Sequence, residues 1–254
     1  MMKMFSLGCA VILFLGIGCN QTEQTNNGRK KLPTTQKSVK ERGIAYIENY
    51  LKINAAEEYG LEYFEEFITD DTIKDALFLV RRVGYAGLKA RKANVYNNYL
   101  KFGLTANENY IFIYNGKTKK FSTTAPIGAS MDQPIEIDFQ SITSLVKKDI
   151  LVKYYILNSK FASYYTAGKE SFYPVLNHPI YSYSNQDSLE AYAVKYEEGT
   201  FSLAKDIDLY KAVLANDQKE VTEENLVATE QRHLRFMFDP RKQKYVTPGV
   251  EELD

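Results

Sequence analysis

Apolar positions along this chain follow two periods, and the change falls near Asn109. Ser38, Val39, Lys40 and Glu41 form a capping box, in which a serine and a glutamate three residues apart satisfy each other's backbone N–H groups. Ile44, Ile47 and Leu51 behind it keep helical spacing and predict a helix over 39–53. Leu61, Phe64, Phe67 and Ile68 give an apolar face to a second predicted helix, 55–68. Asp70 and Asp71 have N-cap character ahead of a third, striped by Ile73, Ala76, Leu77 and Val80. Gly84 and Gly87 interrupt the pattern, which resumes through Leu88, Val95, Tyr99 and Leu100 to a stop at Gly103.

From Asn109 the period becomes two. Tyr110–Tyr114, Asn115-Gly116 and Lys119–Thr123 predict a hairpin. Further predicted strands cover 135–139, 150–157, 180–183, 191–196 and 200–203, with a turn at Glu198-Gly199. Pro126, Pro134, Pro174 and Pro179 fall between or at the edges of these runs, where strands accept proline. Residues 142–148 suit a short helix, and Ile207, Tyr210 and Leu214 fit helical spacing over 206–215. Thr222 opens a last predicted helix with acids in its first turn and Leu226, His233, Leu234 and Met237 inward; Asp239-Pro240 closes it. An edge strand is expected near Tyr245 and Val246, and no internal repeat stands out. The predicted class is α+β: one domain over 38–254, helical over 38–104, an antiparallel sheet over 109–204, and a helical part over 206–238.

The N-terminus changes the picture. Lys3 precedes an apolar run from Phe5 to Leu15 broken only by Ser6, and small or apolar residues lead to Cys19. The run is shorter than the roughly 20 apolar residues a permanent span needs and has the layout of an export signal. Over Met1–Cys19 the chain resembles a bacterial lipoprotein precursor, with Gly18 and Cys19 in the family's places and Leu15 one position ahead of its usual leucine. The resemblance implies a signal peptide over 1–18, diacylglycerol on Cys19, a membrane partner through that lipid, and an envelope location, with Asn20 pointing to the outer membrane. Gly16 and Gly18 also make a small-x-small pair for ordinary secretion, which would leave Cys19 a bare thiol. The other of the two cysteines, Cys9, lies inside the leader, so the mature chain forms no internal disulfide. Residues 19–37 are polar and aperiodic, as in a flexible tether.

Charge adds less. Lys plus Arg and Asp plus Glu are each 32, which argues against a nucleic-acid partner. The charges segregate, however. Acids including Glu62, Glu65 and Glu66 crowd 57–75, and bases including Arg81 and Arg82 crowd 81–120. Such a division marks either solvated helix faces or a steering surface for a protein partner. Tyrosine is abundant at 20 residues and tryptophan absent. Tyr154, Tyr164 and Tyr173 head a tyrosine-rich stretch that suits a protein interface or, if its rings form one exposed row, a glycan platform.

Catalytic signals are sparse. Glu230 and His233 share a helical spacing, and with His178 could be written as a zinc site, but a surface ion pair explains them without a metal. The chain contains no Gly-x-Ser-x-Gly, phosphate-binding loop or dinucleotide fingerprint, and no cofactor is implied. A hydrolase built on scattered carboxylates remains open, because such acids need no fixed spacing. The preferred expectation is a non-enzymatic, membrane-anchored protein-binding factor, such as a complex subunit or an immunity-type inhibitor. A glycan-binding lipoprotein is the alternative.

Overall fold

The structure is a computed structural model and describes residues 37–97, 105–122, 124–168, 171–184, 188–215 and 220–248. These belong to one compact unit within Lys37–Asp254. The leader, Cys19, the tether up to Gln36, Tyr99, Leu100 and the Gly103 stop lie outside the described residues.

The first predicted helix is present as α1 (Val39–Tyr50), with both halves of the Ser38–Glu41 capping box formed. The segments after it do not build a helical layer. Residues 60–66 form strand β1 (Gly60–Glu66), and the third predicted helix is strand β2 (Asp75–Arg81). From Asp75 to Val80 every residue of β2 is buried. A continuous apolar run satisfies a 3.6-residue period as well as a two-residue one, so its stripe carried no information about which element forms. A short helix α2 (Val83–Lys92) precedes β3 (Thr105–Tyr114) and β4 (Ala125–Ser130). The four strands pair antiparallel in the order β1-β2-β3-β4.

A second antiparallel sheet is an eight-stranded meander: β5 (Glu136–Gln140), β6 (Asp149–Ile156), β7 (Ser159–Ala167), β8 (Phe172–Ser184), β9 (Ser188–Glu197), β10 (Asp206–Leu214), β11 (Leu226–Asp239) and β12 (Lys244–Val246). The predicted C-terminal helix is therefore β11, and the ambiguous 206–215 segment is β10. Residues 142–148 and 200–203, expected as a helix and a strand, form loops. The β10–β11 ladder shifts register between Leu209 and Tyr210 and again between Tyr210 and Ala212. Each shift resets the alternation, which hid these strands in the sequence. Pro174 and Pro179 lie inside β8 rather than at its edges, beside the two register shifts of the β7–β8 ladder. A bulge is where a strand can accommodate a missing N–H. The fold is mainly antiparallel β rather than α+β.

Leu77, Leu79, Ile111, Ile113 and Ile127 of the smaller sheet pack against Ile150, Val152, Tyr154, Tyr165 and Phe172 of the larger one. The opposite face of the smaller sheet, with Phe78, Val80, Phe112 and Tyr114, receives Ile47 of α1. Gly43 makes that contact possible, since a Cβ there would lie 2.1 Å from the Phe78 ring. The other face of the larger sheet gathers Leu151, Tyr164, Leu176, Ile180, Ile207, Phe238 and Tyr245.

The strands fall into three successive four-stranded meanders, residues 60–130, 136–184 and 188–246. In each, the first hairpin carries the same seven-residue sequence pattern, Thr-x4-Lys-Asp. The three copies are Thr69 with Lys74-Asp75, Thr143 with Lys148-Asp149, and Thr200 with Lys205-Asp206. The chain thus has an internal repeat that its hydrophobic pattern did not reveal. Repeats two and three join edge to edge through β8 and β9, whereas repeat one packs face to face on the second.

Candidate functional site

The three repeat loops share one latch. Each aspartate is almost fully buried and turns its carboxylate back onto the threonine that opens its loop. Asp75 Oδ2 accepts from Thr69 N at 2.7 Å and Thr69 Oγ1 at 2.8 Å. Asp149 accepts from Ile142 N at 3.1 Å, Thr143 N at 2.6 Å and Thr143 Oγ1 at 2.7 Å. Asp206 Oδ2 accepts from Thr200 N at 3.1 Å and Thr200 Oγ1 at 2.5 Å, and also pairs with Arg235. These bonds satisfy loop amides that would otherwise be left without partners.

The latched loops also bind one another. Lys148 N donates to Phe67 O at 2.7 Å, and Lys205 N donates to Ile142 O at 2.8 Å. The backbone amide of the repeat lysine thus ties each later loop to the one before it. Lys147 Nζ donates to Ala167 O and Tyr245 Oη to Lys205 O, which hold the stack from behind. Burial holds the Lys147 ammonium below its ordinary pKa, with Asp149 and Asp70 opposing that shift.

The outward side of the loops is apolar. Leu145 and Val146 are 70% and 71% exposed on the second loop, and Phe201 and Leu203 are 73% and 82% exposed on the third. Ile73 and Phe67 extend the row on the first loop, where Lys74 lies over the Phe67 ring. Scattered exposed apolar residues are ordinary, but a row of them on three mutually bonded loops marks an interaction site. The acids Asp70, Glu197 and Glu198 lie beside the row.

The residues singled out from sequence do not converge. Glu62 and Glu65 lie on opposite faces of β1, Glu65 accepting from Tyr63 Oη and Glu66 from the Phe67 amide. Arg81 is engaged by the Met131 and Gln133 carbonyls. Arg82 is buried in a two-pronged pair with Glu57 at 2.6 and 2.7 Å and covers the Tyr85 ring. Several of the segregated charges therefore meet inside the fold. Tyr154 and Tyr164 are buried on opposite faces of the larger sheet. Tyr173 is half-buried with its hydroxyl on Gln243. These three form no exposed row.

His178 sits in the core face of the larger sheet beside a cavity of about 310 Å³ that Tyr164, Tyr196, Lys153 and Glu223 also line. His233 stacks near Tyr192 on β11, and no cluster of three or more metal-ligating residues occurs among the described residues. Burial opposes ionisation of Glu223, yet Lys153 at 2.6 Å and Lys160 at 3.3 Å overcome it and keep the carboxyl below its ordinary pKa. That is an anchored carboxylate rather than a proton donor. The loop row escaped sequence reasoning because its signal is three residues in seven, repeated at unequal intervals. Comparison with protein-family models, curated proteins and solved structures finds no match to this chain.

Proposed function

We propose that the chain is a membrane-anchored envelope lipoprotein, held through Cys19 at the outer membrane, whose folded body binds a protein partner with its three-loop end. The observation that carries this is the row Leu145, Val146, Phe201 and Leu203, more exposed than such side chains usually are and borne on loops latched by buried aspartates. Pre-ordered apolar side chains lose little freedom on docking, which favours affinity for a shaped protein surface. The neighbouring acids disfavour an anionic lipid surface as the occupant, because like charges repel. The tether would give the domain reach while the lipid keeps it at the membrane.

Photo-cross-linking from intact envelopes tests the proposal. A benzophenone side chain at Leu145 or Phe201 should capture one protein, and the same probe at Glu62 should not. Replacing Leu145, Val146, Phe201 and Leu203 together by serine should abolish capture while leaving thermal stability nearly unchanged, since exposed substitutions shift stability by about 0.5 kcal/mol or less each. Equal capture from both positions, or adducts with phospholipid alone, would sink it. Incorporation of a palmitate analogue, lost in Cys19→Ala, tests the anchor.

A further inference from the structure

A second concave site lies between α1, the β3–β4 connection and the β7–β8 turn, with a volume of about 420 Å³. Its apolar wall is a ribbon of three aromatic rings. Tyr46 stacks on Phe121 with centroids 3.9 Å apart and planes 2° from parallel, and Tyr50 continues the ribbon 6.0 Å from Tyr46. The ribbon is anchored from below, where Phe112 meets both Tyr46 and Tyr50 edge-on. Yet Tyr46 and Tyr50 remain 38% and 52% exposed. Their rings are thus fixed in orientation with part of their surface open to a ligand, at little further entropic cost.

The remaining wall is polar but almost uncharged. Thr118 and Ser171 bring hydroxyls that can both donate and accept, and Asn115 brings a side-chain amide. Asn115 Oδ1 already accepts from the Lys117 and Thr118 amides at 3.0 and 2.7 Å, which fixes its Nδ2 as the group left to donate. Among the described residues, Lys120 is the one charged side chain lining the site. An aromatic wall facing hydroxyl and amide groups, with that single cation, matches a ligand with one apolar face and a rim of hydroxyls. A pyranose ring has that character.

We propose that this site binds a neutral saccharide, with a sugar ring stacked on Tyr50 and Tyr46 and its hydroxyls read by Asn115, Thr118 and Ser171. The site is separate from the loop row, so it stands or falls independently of the protein-docking proposal.

The test is calorimetric titration of the full chain with neutral trisaccharides of glucose, mannose and N-acetylglucosamine, against trigalacturonate and adenosine as controls. At least one neutral trisaccharide should bind saturably. Tyr50→Ala should weaken it about tenfold, the scale of one aromatic stacking contact. Tyr50→Phe should retain binding, because the ring and not the hydroxyl makes the contact. The four-serine loop variant should bind sugar like the parent chain. No saturable binding by any neutral trisaccharide, equal binding by Tyr50→Ala, or stronger binding of adenosine or trigalacturonate would overturn the proposal. Tyr50 is half-exposed, so its alanine variant should keep the parent's melting temperature, which makes loss of binding interpretable.

Discussion

Asp149 illustrates how one side chain can define a loop. Its two oxygens accept three bonds, from Ile142 N, Thr143 N and Thr143 Oγ1, while the residue is 1% exposed. Asp149→Ala would leave those donors unpaired, and at about 1–3 kcal/mol for each buried unsatisfied group the loss should reach about 3 kcal/mol. Urea unfolding would show it as a lower midpoint with unchanged slope; a loss below about 1 kcal/mol would mean that water replaces the carboxylate. His178 makes a pH prediction. Its Nδ1–H donates to Pro179 O at 2.9 Å, and Nε2 is buried without a partner among the described residues. Burial lowers its pKa from the ordinary 6.5, the Pro179 bond opposing in part. Below about pH 6.5 the unfolded chain therefore takes up a proton that the folded chain refuses. The stability that depends on neutral His178 is complete above about pH 6.5 and falls as pH drops, by at most about 1.4 kcal/mol per unit. His178→Phe should flatten that part of the pH profile and match or exceed the parent at about pH 7.5, because it removes an unpaired polar atom.

Among the elements, α1 is the clearest case of local sequence and tertiary contact acting together. Its capping box is local and forms as the sequence predicts. Gly43 looks like a weak point in the helix, but it lets the helix settle on the Phe78 ring. Gly43→Ala would gain about 0.8–1 kcal/mol of helix propensity. Against that, a methyl 2.1 Å from the ring forces the helix or Phe78 to move, at about 1–3 kcal/mol for an overpacked core. The net effect should be a lower melting temperature by circular dichroism; a rise would mean that α1 does not sit tightly on the sheet. The β8 strand shows the reverse case. Pro174 and Pro179 argued for strand boundaries, yet the strand passes through both because bulges absorb the missing N–H groups.

At the scale of the whole molecule, the two sheets share one core, with Leu77, Leu79, Ile111 and Ile113 packed against Ile150 and Val152. Neither sheet keeps that face covered without the other, so the domain should unfold in one transition. Far-UV and near-UV circular dichroism melts should coincide, and Leu79→Ala and Ile150→Ala should each lower the same midpoint by about 2–5 kcal/mol of stability. Two resolved transitions would show that the repeats fold separately. The charge segregation that suggested a steering surface also takes a different meaning at this scale. Glu57 and Arg82 are 25 residues apart and Lys89 and Glu108 19, and both pairs close in the folded chain. Replacing Glu62, Glu65 and Glu66 by glutamine should therefore change stability by less than about 1 kcal/mol, the usual range for exposed charges.

Sequence alone determined the features set by near neighbours. These are the Ser38–Glu41 box and the helix it starts, the placing of β5, β6 and β9, and the opposite facing of Tyr154 and Tyr155 that period two requires. It also supports the expectation of a lipid anchor at Cys19, which rests on a motif rather than a fold. Tertiary structure decided whatever depends on a distant partner. The apolar run from Ala76 to Val80 became a strand because β1 and β3 pair with it and both its faces are covered. Bulges against β10 erased the alternation in β11. The repeat loops form one surface only because Lys148 meets Phe67 and Lys205 meets Ile142. Hydrophobic periodicity records how a residue faces its own element, and it carries no record of which loop a sheet will bring alongside another.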